Sequence, residues 1–355
     1  VVPARNEEGH IAKTISEIAS SKPARPVAVV VADDQSDDRT AEEALGASIP
    51  EGVVLRLIQV GERPLGWAGK VWALSCGVSE AEEFRPDYLW FVDADISVDP
   101  DVLAKLLKLS RHQHRQAVSV MARLRAVTWA EKLMMPAFVY FFGLLYPFRK
   151  VAKGTIAAGA GGCMLVEASA LRRAGGLEPI RGALIDDIAL AKSLRARAGA
   201  RLWLGYCEGV RSRRAYGRLF DIWSMVERSA YVQLRYSPLR ALLTVGAIAI
   251  SFAGPVAASL GGIVLGSAAQ SRSRRKRALG AAALGSLAWS TMAASYQPTI
   301  RRYGLSRPWA ASLPAAGLIY GAITATAAIK HHTGLFATWK GRPVRLEAEA
   351  SSNGA

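Results

Sequence analysis

The chain has 355 residues, is 51% hydrophobic and carries a formal net charge of +16. That length admits two or three domains, and three scattered cysteines (Cys76, Cys163, Cys207) exclude a disulfide framework or a paired-cysteine metal site. The positive excess does not read as a nucleic-acid footprint, because Arg272 and Arg274 to Arg277 flank long apolar runs. That placement fits anionic lipid headgroups and the positive-inside bias.

The chain opens on Val1-Val2-Pro3 without methionine, in what reads as the end of a strand, so upstream residues are expected. Glu7 to Ser20 has helical periodicity, and Val27 to Ala32 is a β-branched run of the kind buried on both faces of a sheet. A helix is predicted over Thr40 to Ala47, a strand over Val53 to Val60 and a helix over Gly69 to Glu83. A strand follows at Tyr88 to Val92, a helix at Asp99 to Arg111 and a strand at Ala117 to Ala122. Such alternation predicts an α/β fold with a mostly parallel sheet flanked by helices.

Leu133 to Phe148 breaks the alternation. Its 16 apolar, aromatic-rich residues are too few to span a bilayer, so it reads either as a greasy lip or as ordinary core. Gly159 to Val166 reads as a glycine-rich loop entering a strand, and helices are predicted at Ala168 to Ala174 and Ile185 to Ala198. A short strand at Arg201 to Tyr206 and an amphipathic helix at Leu219 to Tyr236 close a water-facing region of residues 1–236.

Residues 237–335 read as a membrane region with two or three apolar segments, at 241–269, 278–300 and 308–329, followed by a tail at 336–355. The first segment is interrupted by Gly254-Pro255 and is expected to be one kinked span or a re-entrant hairpin. The hairpin is preferred, since a single crossing would put Arg272 to Arg277 outside, against the positive-inside bias, whereas a hairpin leaves Lys340 and Arg342 inside.

Four chemistry-bearing clusters fall at predicted strand ends or in the adjoining loops: Pro3-Ala4-Arg5-Asn6-Glu7-Glu8, Asp33-Asp34, Gly66-Trp67-Ala68-Gly69-Lys70 and Asp93-Ala94-Asp95. In a parallel sheet these ends share one edge, where open α/β folds bind ligands. Asp93 and Asp95 repel each other unless a cation lies between them, and a hard divalent ion such as Mg2+ or Mn2+ would leave positions for phosphate oxygens. The alternative is an Asx turn with Asp95 or Asp99 capping the next helix. Lys70 reads either as an ammonium for diphosphate oxygens or as a solvated first-turn lysine. It is not part of a Walker loop, because Pro64 and Val71 occupy positions that motif reserves for glycine and for serine or threonine.

The runs VVPARNEE, VADDQSDDRT, GWAGKVWAL and FVDADI resemble the strand-end motifs of family 2 glycosyltransferases of the GT-A fold. The likeness extends to the C-terminal apolar runs and to Trp339-Lys340-Gly341-Arg342. The layout is most similar to the hopanoid-biosynthesis-associated branch, and ceramide glucosyltransferases are a more distant likeness. The resemblance implies that Asp33 contacts the uracil of a UDP-sugar donor, with Pro3, Arg5, Glu7 and Asp34 against the nucleotide. It implies Asp95 as the principal metal ligand, with Asp93 near the metal or donor sugar. Ile185-Asp186-Asp187 stands where relatives carry Thr-Glu-Asp, which implies Asp187 as the base, with Asp186 the other candidate. Both also suit helix capping. Gln233-Leu234-Arg235-Tyr236 is an imperfect match to the Gln-x-x-Arg-Trp motif of processive synthases. It implies Arg235 as a diphosphate contact, with Arg228 competing, and argues against a long-polymer synthase.

The resulting expectation is an inverting, metal-dependent glycosyltransferase at the cytoplasmic membrane, multi-pass, with its catalytic region facing the cytoplasm. Its partners would be a nucleotide-sugar donor, a membrane lipid acceptor such as a hopanoid, and the bilayer, with no nucleic acid. The alternatives are a polyprenyl-phosphate glycosyltransferase, a short-chain polysaccharide synthase and a donor-binding scaffold without turnover.

Overall fold

The computed structural model describes residues 1–21 and 27–333, together with the backbone of residues 338–339 and 342–343. Lys340 and Gly341, like most of the 336–355 tail, lie outside the described residues. The chain forms two compact units. The first contains Val1–Arg125 and Gly143–Ala215, and the second Ala126–Phe142 and Tyr216–Val344. The division therefore falls at Tyr216, ahead of the predicted boundary at residue 236, and it also gives residues 126–142 to the second unit.

In the first unit, β1 (Val2–Ala4), β2 (Ala28–Asp33) and β3 (Val54–Gln59) pair in parallel in the order β1-β2-β3. β4 (Tyr88–Val92) joins the free side of β1: the Val1 amino group donates to the Trp90 carbonyl at 2.8 Å, and the Val92 N–H donates to the Val1 carbonyl at 3.2 Å. That alternation is the parallel pattern. Beyond β4 the sheet becomes mixed. β7 (Cys163–Glu167) runs antiparallel to both β4 and β6 (Ala117–Arg123), and β8 (Leu202–Ser212) is parallel to β6. β5 (Ile96–Val98) closes the edge antiparallel to β8. β4, β6 and β8 thus point the same way as β1 to β3, and their carboxyl ends face one edge.

The strands carry the apolar runs read from the sequence. Val29, Val31, Val92, Val118, Val120 and Leu165 are buried in one core with Ile11 and Ile15 of α1 (Ile11–Ala19) and Leu103 and Leu106 of α4 (Val102–His112). The remaining helices of this unit are α2 (Thr40–Leu45), α3 (Gly69–Ala81), α6 (Phe148–Ala152), α7 (Ala168–Arg173) and α8 (Asp186–Ala198). β5 was not foreseen. Three residues are too short a run to show a period, and only pairing with β8 holds them extended. All three thiols are free, and burial pushes Cys163 up to about 12.

The second unit is helical. It is built from α5 (Trp129–Leu145, whose last three residues belong to the first unit), α9 (Leu219–Gln233), α10 (Pro238–Ile248), α11 (Gly254–Ala268), α12 (Arg272–Arg302) and α13 (Leu313–His332). Leu133, Met134, Met135, Ala137 and Val139 of α5 are buried, so this stretch is core, while Leu144 and Leu145 are exposed. Tyr320 of α13 donates to the Met134 carbonyl at 2.9 Å. The buried Glu131 carboxylate accepts N–H bonds from Val127 (2.8 Å), Thr128 (2.9 Å) and Tyr216 (2.8 Å).

The re-entrant hairpin expected at Gly254-Pro255 is not what forms. α10 continues through a π-helical turn at Ala249–Ala253 directly into α11, as one run from Pro238 to Ala268. Pro255 lies in the first turn after the π turn, and the widened turn accommodates the missing N–H and the ring without breaking the helix. Two helical stretches, Pro238–Ala268 and Arg307–His332, are long and apolar enough to cross a membrane. The predicted 278–300 segment lies inside α12, which is long but rich in glycine, alanine, serine and threonine and is not among them.

Candidate active site

The carboxyl edge of the first unit's sheet gathers most of the residues singled out from the sequence. The turn after β1 and the loop after β2 are laced together. The buried Arg5 guanidinium donates to the Asp34 and Gln35 carbonyls, Asn6 N–H to Ser36 Oγ at 2.9 Å, and Glu7 N–H to Thr40 Oγ1 at 2.7 Å. Pro3 is buried in β1 opposite Ala32 and, lacking an N–H, offers the sheet only its carbonyl. Asp33 and Asp34 are almost completely buried, and the Ser36 hydroxyl donates to Asp33 Oδ1. Arg5 is thus a staple that fixes the loop carrying these two carboxylates.

Lys70 stands in the first turn of α3, and its ammonium bridges two acids. It lies 2.8 Å from Asp93 Oδ1 and 3.2 Å from Asp186 Oδ2. All three side chains keep a fifth to a third of their surface open. Burial pulls the Lys70 ammonium down, but Asp186, Asp93 and Asp187 together outweigh it, and the net shift is upward. Burial pushes the Asp93 carboxyl up to about 6 against the opposing pull of Lys70, with Asp186 and Asp95 adding to the rise.

Asp186 and Asp187 open α8, where the positive end of the helix dipole favours a carboxylate. The Gly161 N–H donates to Asp187 Oδ2 at 2.8 Å, and the Ile188 N–H to Oδ1 at 2.7 Å. A Cβ at Gly161 would stand 3.4 Å from Asp187 Oδ2 and 3.5 Å from Lys70 Nζ, so its hydrogen keeps this corner open. Burial pushes Asp187 up to about 7, with the charge of Asp186 next in weight. A carboxylate titrating near neutrality is matched to general-base work.

One residue of this edge escapes the sequence reading. Arg214, just past β8, donates from Nε to Asp95 Oδ2 at 2.8 Å and from Nη2 to both Glu7 oxygens at 2.8 and 2.7 Å. Its neighbour Arg213 donates to Thr14 and to the Ile96 carbonyl, and pairs with Glu17. In a basic chain the run Arg211-Ser212-Arg213-Arg214 carries no distinguishing signal. The β5–β8 pairing, with Ile96 opposite Ser212, is what delivers Arg214 to Asp95.

Arg235 lies in the turn between α9 and α10, in the second unit, with a left-handed φ of 52°.

Among the described residues no group of three histidine, cysteine or acidic side chains converges as a ready-made metal cage. The donor set still fits a hard ion. Asp93 and Asp95, which face Lys70 and Arg214, would supply two oxygen ligands, and substrate oxygens and water would fill the remaining positions.

Residues 1–175 match the family described as Glycosyl transferase family 2. The α/β sheet with packed helices is GT-A-like. A curated relative, the 4,4'-diaponeurosporenoate glycosyltransferase of Staphylococcus haemolyticus (strain JCSC1435), is 31% identical over 124 residues, covering 34% of this chain and 30% of the relative. The chain therefore spans about a third of the length of that relative. Among solved structures, S. aureus TarS is similar with a TM-score of 0.42 and 15% identity, over 65% of this chain and 39% of that one. Glucosyl-3-phosphoglycerate synthase from Mycobacterium tuberculosis, in complex with Mn2+, UDP and glucosyl-3-phosphoglycerate, gives a TM-score of 0.40 and 19% identity, over 63% of this chain and 74% of that one.

Proposed function

With a glycosyl transferase family 2 domain in residues 1–175 as the premise, we propose that this chain transfers one sugar, with inversion, from a UDP-sugar to a hydroxyl of a membrane lipid. A hopanoid is the acceptor we favour. The observation that carries the reading is the arrangement around Lys70: a cation between Asp93 and Asp186, beside an Asp187 carboxylate held by the Gly161 N–H.

Asp187 accepts the acceptor hydroxyl's proton as that oxygen attacks the anomeric carbon from the face opposite the leaving group. The bond from the anomeric carbon to the diphosphate oxygen breaks, and UDP departs with the electron pair. No covalent sugar–enzyme intermediate forms, in contrast to retaining chemistry through an enzyme nucleophile. Lys70 stabilises the charge that develops on the departing diphosphate. Mg2+ or Mn2+, held by Asp95 with Asp93, would supply further neutralisation there. Arg214 then exchanges Asp95 for a new partner when donor arrives. Asp33 accepts the uracil imide N–H, which discriminates among bases. Arg5 and Pro3 hold the nucleotide-facing turn in shape, with Glu7 and Asp34 beside it. Arg235 is a further candidate for the diphosphate.

The two apolar helical stretches, long enough to cross a bilayer, support a multi-pass membrane protein. We place the first unit at the cytoplasm on the family resemblance, and a single crossing by Pro238–Ala268 then puts Arg272 to Arg277 on the far side, against the positive-inside bias. The lipid acceptor rests on that placement. A screen of UDP-sugars with native lipid extract, read by product mass, tests the reading. It should give a lipid heavier by one hexose-type residue. A polymer ladder would reject single-sugar transfer, a glycosylated polyprenyl phosphate would reassign the acceptor, and UDP binding without any transfer would leave a donor-binding scaffold.

A further inference from the structure

A cavity opens on the first unit at the edge opposite the carboxylates. It has a volume of about 450 Å³ and is bordered by Arg115, Lys153, Arg195 and Arg201, with Gly154 and Gly199 in its wall. Arg115 precedes β6, and Arg201 precedes β8. Both therefore sit where these parallel strands begin, whereas Asp93 and Asp95 sit where the co-directional β4 ends. Seven residues of β6 at strand rise separate the two edges by about 20 Å.

No acidic side chain lines this cavity. Among the described residues, none of the four cations forms an ion pair. Lys153 and Arg195 stand at or near the ends of α6 and α8, and offsetting the helix dipoles accounts for each of them singly. It does not account for Arg115. That guanidinium is half-buried, its Nη1 donates to the Ala152 and Leu202 carbonyls at 2.8 and 3.3 Å, and its Nε is buried without a hydrogen-bond partner. A partly desolvated cation held only by neutral carbonyls, with three more cations around it, favours an anion.

The approach to the cavity says where that anion comes from. Leu144 and Leu145 are 59% and 64% exposed, and Arg149 and Lys150 follow them, also exposed, just before Lys153. Apolar side chains next to exposed cations are the signature of a segment that lies at a membrane surface.

We infer that the Arg115–Lys153–Arg195–Arg201 cavity is a binding site for a phosphate group carried by a membrane lipid headgroup, separate from the catalytic edge. Free phosphates offer the same chemistry, and the test separates the two sources. The full chain in neutral detergent is titrated calorimetrically with dihexanoyl phosphatidic acid, with inorganic pyrophosphate and with dihexanoyl phosphatidylcholine. Arg115 is left in place because it ties down two backbone carbonyls. The test variant is Lys153→Gln/Arg195→Gln/Arg201→Gln, and the charge-matched control is Lys13→Gln/Lys108→Gln/Arg111→Gln, three exposed positions.

The expected result is that the test variant binds phosphatidic acid about tenfold more weakly or worse, as loss of charge-assisted contacts requires, while the control stays near wild type. UDP affinity, measured alongside, stays unchanged in both, so failure of the donor site and failure of this one are distinguishable. Binding of pyrophosphate but not phosphatidic acid, with the same sensitivity to the variant, would overturn the lipid source. Equal losses in the two variants, or no phosphate binding at all, would overturn the site.

Discussion

Asp187 is the residue on which the chemistry turns, and its surroundings make two outcomes measurable. Asp187→Asn removes the base and keeps one oxygen, enough for the Gly161 N–H but not also for the Ile188 N–H, so kcat should fall by about 10²- to 10⁴-fold with UDP affinity nearly unchanged; an equal loss of UDP affinity would mean that the residue serves the donor instead. The second outcome is a pH profile. The base works ionised, so kcat/KM should rise with pH and level off above about 7, the value to which burial and Asp186 bring Asp187. Asp186→Asn removes a neighbouring negative charge, and the acid limb should move to lower pH; a limb that stays in place would detach the profile from Asp187. Arg214 makes a third test. Arg214→Gln leaves Asp95 without its guanidinium, and half-maximal activity should then need less Mn2+. A higher requirement would show that Arg214 helps to hold the metal–diphosphate rather than competing for Asp95. Asp33, Lys70, Asp93 and Asp187 could be singled out from the sequence because each sits where an apolar strand or a helix start punctuates the chain. Arg214 could not, because its meaning comes from a partner more than a hundred positions away.

At the scale of elements, the strands β1 to β4 and the helices between them follow the apolar periodicity closely, since a sheet buried on both sides leaves a clear mark in composition. The second half of the sheet is less legible. The apolar run of β7 is plain in the sequence but its antiparallel sense is not, and the three-residue β5 is defined by its neighbour β8 and not by its own residues. The same holds for α11 and α12, which meet through small residues. A Cβ at Gly262 would lie 2.6 Å from the Ala278 carbonyl oxygen, and one at Gly285 would lie 2.6 Å from that of Pro255. Backbone-to-backbone approach of this kind depends on glycine. Gly285→Leu should therefore force the two helices apart at a cost of about 1–3 kcal/mol, seen as a lower Tm of the detergent-solubilised protein. An unchanged Tm would mean that this helix pair can separate freely.

At the scale of the whole chain, composition separated a charged α/β part from an apolar helical part, but not at the observed place. α9 is amphipathic and looks like the last helix of the first part, yet it packs with α13 through the Lys330–Glu227 pair at 2.8 Å. α5 sits early in the sequence and still belongs with the late helices. Hydropathy cannot reveal such an exchange, because it reports how greasy a segment is and not which neighbours it chooses. The polypeptide passes from one unit to the other near residues 126 and 216, and the two carboxylate oxygens of Glu131 each secure one of those passages. A glutamine there keeps only one oxygen, so Glu131→Gln must turn an amide NH2 toward one set of N–H donors and release that passage. Brief trypsin treatment should then nick the variant next to Arg125 or Arg214 while the native chain stays whole, making one buried acid the clasp that decides where this protein first comes open.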